Sequence, residues 1–183
     1  MRKLIGFFVM VTSILIAGIA SPAVAQDAPK VGQAAPEFEM KASDGKTYKA
    51  KDFQGKQAVI IAWFPRAFTG GCTKECKSMK ESGDLLKGYD VAYFTASTDP
   101  VGKNADFAKS LELDYPILCD PEGKNAKMFG VLKPDGKAAN RVTIIIGKDG
   151  KILAIDDMVK TETHGKDLAD QLAKLGVEKK PKK

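Results

Sequence analysis

From Ala58 to Phe64 the chain reads AVIIAWF, an unbroken apolar run rich in β-branched and aromatic side chains. That is the pattern of a strand covered on both faces, and Pro65 ends it. Between Thr73 and Lys87 apolar Met79, Leu85 and Leu86 recur among lysines and glutamates, which predicts a helix. A second strand follows at Tyr89 to Ser97 (YDVAYFTAS). Asn104 to Leu113 has Phe107, Ala108 and Leu111 at helical spacing, Tyr115 to Cys119 reads as a short strand stopped by Asp120-Pro121, and Lys124 to Phe129 as a brief helix. Val142 to Ile146 and Lys151 to Ile155 flank Lys148-Asp149-Gly150, a hairpin signal. A smaller hairpin is expected from Glu37 to Met40 and Thr47 to Lys49 around Asp44-Gly45. The last helix, Lys166 to Leu175, carries Leu168, Leu172 and Leu175 on one face and stops at Gly176.

Strand, helix, strand, helix, strand, then a hairpin and a helix, predict an α/β fold of thioredoxin-like type: a mixed central sheet with helices on both faces. Ligands of such sheets gather beyond the carboxyl ends of the parallel strands. The loop Pro65 to Gly71 falls there, and so does Cys119. The chain has no internal repeat and no low-complexity stretch before its C-terminal end.

The N-terminus changes the picture of where this domain works. Arg2 and Lys3 precede an apolar run from Leu4 to Ala20, then Ser21, Pro22 and Ala23-Val24-Ala25. This reads as a secretory signal over residues 1–25, cleaved before Gln26, which makes the protein periplasmic or secreted. The other reading, an uncleaved membrane anchor, needs a run at the short edge of what spans a bilayer. One domain is expected over residues 26–178 and a solvated basic tail over residues 179–183. That tail, Lys179, Lys180, Lys182 and Lys183 around Pro181, supplies part of the net charge of +6. No aromatic residue is interleaved with those lysines, so nucleic-acid stacking has no platform there.

Export also gives the cysteines a meaning, because disulfides persist outside the cytosol. The chain has three, too few for a disulfide-built scaffold and an odd number, which leaves a candidate reactive thiol. Two of them stand in the stretch FPRAFTGGCTKEC, residues 64–76. Cys72 falls where the loop enters a helix, facing N–H groups without intrahelical partners and the positive end of the macrodipole. Gly70 and Gly71 allow close approach of backbone and substrate, and Thr69 brings a hydroxyl three residues before the sulfur. Ionisation alone has a limited yield: lowering a cysteine pKa from about 8.5 to about 6 raises the thiolate at pH 7 from about 3% to about 90%, roughly 30-fold. Larger acceleration requires a donor aimed at the leaving group. Arg141, at the start of the Val142 strand, is the candidate because a guanidinium keeps its charge.

Pro65-x-x-x-Thr69-x-x-Cys72 resembles the active-site motif of the peroxiredoxins, and RVTIIIGKDGKI resembles that family's arginine strand and Asp-Gly hairpin. The resemblance runs from about Val31 to Leu175 and is nearest to the bacterioferritin-comigratory, or Q-type, branch. It implies a cofactor-free and metal-free peroxidase in which Cys72 is the peroxidatic thiolate. Thr69 would orient peroxide, Pro65 shield the pocket, and Arg141 stabilise thiolate and transition state. It further implies a sulfenic acid on Cys72, a thioredoxin-like protein as reductant, and a monomer or weak dimer. Gly70 departs from the family's commoner proline. Where the Q-type branch has a resolving cysteine it lies five residues after the peroxidatic one, and here that place is Lys77.

Cys76 is thus one position early. Residues i and i+4 of a helix have Cβ atoms about 5–6 Å apart, whereas a disulfide needs roughly 3.5–4.5 Å, so a Cys72–Cys76 bond requires the first turn to unwind. Cys76 is the expected resolving residue on that condition, with an external thiol or Cys119 as the alternatives. Four other readings compete. A copper carrier of this fold would ligate metal with Cys72, Cys76 and His164, the single histidine; but His164 lies beyond the hairpin, where a surface histidine is the ordinary reading. A thiol–disulfide oxidoreductase normally uses Cys-x-x-Cys. A Cys–His hydrolase would need His164 beside Cys72, and a purely structural module gives no reason for Pro65, Thr69, Cys72 and Arg141 together.

Overall fold

The computed structural model describes residues 28–180. The expected signal sequence and the last three residues of the expected tail lie outside them. The element order is β1 (Glu39–Ala42), β2 (Thr47–Lys49), β3 (Ala58–Trp63), α1 (Gly70–Glu81), α2 (Gly83–Lys87), β4 (Val91–Ser97), α3 (Val101–Ser110), β5 (Ile117–Cys119), α4 (Lys124–Met128), β6 (Val142–Ile146), β7 (Ile152–Asp156) and α5 (His164–Lys174). The strands form one seven-stranded sheet in the order β2-β1-β5-β4-β3-β6-β7. β5, β4 and β3 run parallel at its centre, while β6 pairs antiparallel with β3 and β1 antiparallel with β5. The expected mixed α/β sheet is therefore present.

β3 shows why its apolar run is continuous. Val59, Ile61 and Trp63 face one core layer with Phe38, Phe94, Phe129 and Ile144. Ala58, Ile60 and Ala62 face the other, with Met79, Leu86, Leu168 and Leu172 of the helices α1, α2 and α5. A strand that alternates between two buried layers has no polar face to show. A third cluster, around Phe64, Phe107 and Ile117, holds Cys72 and Cys76, so the cysteine pair belongs to the packed interior under α3.

Several boundaries differ from the sequence expectation. The first long helix begins at Gly70, not Thr73, because Thr69 is extended and its carbonyl already accepts from Thr73 N at 2.9 Å; two glycines concealed that start. It breaks at Ser82, and α2 is a separate short turn of helix. The break lies where α5 arrives: a Cβ on Gly165 would fall 2.3 Å from the Ser78 carbonyl and 2.6 Å from Ser82 Cβ, so only glycine permits this approach. α5 itself begins at His164, two residues before the expected start, with Gly165 N donating to Ser78 Oγ at 3.1 Å. Finally, Lys179 and Lys180, expected in the solvated tail, are instead held to the domain. Asp90 N donates to Glu178 O at 2.7 Å and Lys180 N to Gly88 O at 2.9 Å, and Lys179 lies over the Tyr89 ring; Lys179 and Lys180 are a paired edge of the domain.

Candidate active site

The carboxyl ends of β3 and β4 hold the loop that carries the motif. Ala67 N donates to Asp99 Oδ2 at 2.7 Å. Asp99 also accepts from Lys103 at 2.7 Å and receives the Ser97 hydroxyl at 3.3 Å. With Ala67 held, the chain turns through Phe68 at φ 63°, a left-handed conformation uncommon for a residue with a Cβ, and the Phe68 ring rests on Phe107 with centroids 5.0 Å apart. Thr69 then sits at the cap position of α1, but its hydroxyl donates to Arg66 O at 2.9 Å instead of capping. The first N–H groups of α1 are thus left without a side-chain acceptor, at the positive end of its dipole. Pro65 is half-buried, and Cys72, 1% exposed, lies in the first turn of the helix.

Arg141 arrives from across the sheet. Trp63 pairs with Val142, so the residue before β6 stands at the end of β3, and Arg141 Nη2 donates to Cys72 Sγ at 3.3 Å. The approach depends on Gly71, where a Cβ would stand 3.2 Å from that same Nη2. Arg141 Nη1 binds Glu75 Oε2. Glu75 is fully buried, one helical turn below Cys72 on the same face, and its other oxygen, Oε1, is 3.2 Å from His164 Nδ1. His164 Nε2 and Thr143 Oγ1 are 2.9 Å apart. Burial pushes the His164 imidazole down to about 4, with Arg141 adding to the drop and Asp156 and Asp167 opposing it, so the ring is neutral near pH 7.

The structure thus brings Thr69, Cys72 and Arg141 to one place, with Pro65 at its edge. It also adds Glu75, Thr143 and His164, which the sequence pattern did not point to. The expectation of a surface histidine at position 164 is wrong: the residue is 1% exposed, because Gly165 lets α5 sink against α1. Glu75 was legible in principle, since i and i+3 share a helix face, but between Lys74 and Lys77 it reads as one more solvated charge.

Comparison with known proteins decides the family. The model of the AhpC/TSA family matches residues 31–155. Peroxiredoxin Bcp of Escherichia coli is 33% identical over 141 residues, covering 74% of this chain and 90% of its own. The chain belongs to the AhpC/TSA family and is a peroxiredoxin. Peroxiredoxin Bcp of Bacillus subtilis is similar at 29% identity over 141 residues, covering 74% of this chain and 89% of its own. Among solved structures, peroxidoxin BcpB of Mycobacterium tuberculosis superposes with a TM-score of 0.73 at 29% identity, covering 80% of this chain and 97% of that one. The PrxQ of Xylella fastidiosa shares the fold at a TM-score of 0.75 and 17% identity, over 82% and 99% of the two chains.

In this peroxiredoxin the other two thiols are placed unlike Cys72. All three cysteines are free and buried. Cys76 is fully enclosed, and burial, which outweighs the neighbouring hydroxyl of Tyr115, pushes its thiol up to about 12; the Tyr115 hydroxyl also donates to the Cys76 carbonyl at 2.9 Å. Cys119 accepts from Asn104 Nδ2 at 3.3 Å and donates to Ile117 O at 3.4 Å, and its thiol is also raised by burial. Both nitrogens of His164 are turned to Glu75 and Thr143, so the ligand set of a copper carrier, Cys72 with Cys76 and His164, is not assembled. Among the described residues no group of three His, Cys, Asp or Glu side chains is placed to hold a metal ion.

Proposed function

We propose that this peroxiredoxin is exported and reduces hydrogen peroxide or small alkyl hydroperoxides, with Cys72 as the peroxidatic residue. The observation that carries the assignment is the Arg141 guanidinium 3.3 Å from Cys72 Sγ at the N-terminus of α1. A charged donor held on the sulfur is also within reach of an oxygen bound to it, where negative charge develops as the O–O bond breaks. The Thr69 hydroxyl spends its proton on Arg66 O, so its free lone pairs would accept the O–H of a peroxide and orient it. Pro65 and the Phe68 turn would wall that space.

In the first step the Cys72 thiolate attacks one peroxide oxygen. The S–O bond forms, the O–O bond breaks, and the departing alkoxide or hydroxide takes a proton to leave as alcohol or water; Cys72 is left as a sulfenic acid. In the second step the Cys76 sulfur, deprotonated once exposed, attacks Cys72 Sγ and expels hydroxide, which leaves as water, giving a Cys72–Cys76 disulfide. A thioredoxin-like dithiol then returns two electrons and two protons. Because Cys76 is enclosed and its thiol raised, the second step requires the start of α1 to open. Export is supported by Arg2 and Lys3 before the Leu4–Ala20 run and by Ala23-Val24-Ala25.

The reduced mature protein mixed with one equivalent of hydrogen peroxide should change Trp63 fluorescence rapidly. Peptide mapping should then show Cys72 joined to Cys76, and Cys72→Ser should leave peroxide unconsumed. Reaction no faster than that of a free cysteine, or an active Cys72→Ser, would overturn the assignment. Fractionation should recover a chain beginning at Gln26 outside the cytosol.

A further inference from the structure

Arginine and carboxylate side chains commonly pair through two parallel hydrogen bonds, both amino groups of the fork on both oxygens. The pair in this site does not. Arg141 gives Nη1 to Glu75 Oε2 and keeps Nη2 for Cys72 Sγ, and Glu75 Oε1 is turned instead to His164 Nδ1 at 3.2 Å. Neither Oε1 nor Nδ1 makes a hydrogen bond with good geometry, to each other or to any other group, and both are buried from solvent; what they have is the 3.2 Å approach to each other. A buried carboxylate oxygen and a buried ring nitrogen that face each other across 3.2 Å, with no partner elsewhere, attract each other once the nitrogen carries a proton.

We propose that His164 is a positioning residue for Arg141. With a proton on Nδ1 facing Glu75 Oε1, it prevents Glu75 from taking both amino groups of the arginine and leaves Nη2 on the sulfur. The inference rests on the reading of Cys72 as peroxidatic residue and adds a part to that site.

The tautomer follows from the surroundings. Glu75 faces a guanidinium and is a carboxylate, so a lone pair on Nδ1 would oppose it, whereas an Nδ1 proton is attracted. Nε2 is then the acceptor, and the Thr143 hydroxyl at 2.9 Å donates to it. Burial keeps the ring neutral near pH 7. The charged groups that act on the ring are Glu75 from α1, Arg141 before β6, Asp156 at the end of β7 and Asp167 on α5 itself. The fixed points of this arrangement belong to rigid elements: Thr143 is in β6, Glu75 in α1, and His164 is held at the head of α5 by the Gly165–Ser78 bond at 3.1 Å. Without the Nδ1 donor, Glu75 Oε1 would have no partner except Arg141 Nη2. Rotation of the carboxylate to take it would lift the guanidinium from Cys72.

Asn and Gln separate this role from simple packing, since the amide nitrogen of Asn falls near the place of Nδ1 and that of Gln near the place of Nε2. His164→Gln should slow both alkylation of Cys72 by iodoacetamide and its oxidation by hydrogen peroxide, the oxidation by at least about tenfold, the scale of losing a charge-stabilising donor. His164→Asn should restore both to within a few-fold of the wild type, with the two variants melting at similar temperatures. Nitrogen chemical shifts of His164 in the wild type should show the proton on Nδ1. Equal rates in the two variants, or a proton on Nε2, would overturn the proposal. A wild-type protein that meets peroxide no faster than free cysteine would defeat the peroxidase reading instead, and the alkylation rates would still report on His164.

Discussion

Arg141 Nη2 stands 3.3 Å from Cys72 Sγ although 69 residues separate the two in the chain. What joins them is sheet register: β6 lies antiparallel against β3, Val142 opposite Trp63, so the residue before one strand meets the loop after the other. The arginine's backbone is therefore held by the sheet, and its charge is present before any substrate arrives. Such preorganised donors are what lower a barrier without reorganisation during reaction.

Arg141→Ala should accordingly slow oxidation of Cys72 by about 10²–10³, beyond the roughly 30-fold that ionisation alone supplies. The check is stopped-flow Trp63 fluorescence repeated at rising pH. A loss that persists where Cys72 is fully ionised locates the effect in the transition state; full recovery there would reduce Arg141 to a promoter of ionisation.

Gly70 and Gly71 are adjacent in sequence and opposite in consequence. A Cβ at Gly70 meets nothing within 4 Å, whereas one at Gly71 stands 3.2 Å from Arg141 Nη2. Gly70 is the first residue of α1 and follows an extended Thr69 at ψ 152°, the setting that suits proline. Gly70→Pro should therefore stabilise the fold by about 0.4–1 kcal/mol and leave peroxide oxidation near wild type. Gly71→Ala should keep or raise the melting temperature, as alanine in a helix does, while slowing the reaction. Paired thermal melts and rapid kinetics test both, and a fast Gly71→Ala would show that the guanidinium can yield without loss.

The parts of this molecule that were legible in the sequence are those set by local pattern. The AVIIAWF run announces a doubly covered strand, Lys148-Asp149-Gly150 a hairpin, and the placing of Arg141 before that hairpin an arginine beside the loop. The carboxylate and imidazole behind the arginine were not legible, because their meeting is produced by the packing of α5 on α1, a contact between residues far apart in the chain. Its local sign is a single glycine, Gly165, next to the histidine, and glycine at a helix start can equally serve the turn that leads into it. Burial turned an apparently solvated Glu75 and an apparently exposed His164 into the interior of the site.

Cys76 can reach Cys72 only if α1 opens, and the Tyr115 hydroxyl on the Cys76 carbonyl, at 2.9 Å, is one of the bonds that holds it shut. That carbonyl lies inside the helix and keeps its helical partner when the phenol is removed. Tyr115→Phe should then favour the open form by about 1 kcal/mol and speed disulfide closure about fivefold, with the preceding oxidation of Cys72 unchanged. Quenching the reaction at intervals and counting sulfenic acid against disulfide by intact mass separates the two steps. Closure at an unchanged rate would mean that this bond survives the opening.

His164 also makes stability depend on pH in a stated direction. Its imidazole titrates near 4 in the folded protein against 6.5 for an unperturbed histidine. Between those values the unfolded chain binds a proton that the folded chain refuses, so stability falls as the medium is acidified from about pH 6.5 to about pH 4. Above the window the group is neutral in both states and contributes no slope; below it both are protonated and the loss is complete, at about 3 kcal/mol. Carboxylates add their own acid slope, chiefly at the lower end, so the informative quantity is the difference between wild type and His164→Asn, whose side chain does not titrate. Urea unfolding of both at several pH values between about 7 and about 4 should show the wild type losing more stability than the variant over this range. Parallel curves would mean that His164 is protonated in the folded state as readily as in the unfolded one. Below about pH 6.5 the ring would then be an imidazolium beside Glu75, and the loss of stability in acid would have to come from the carboxylates alone.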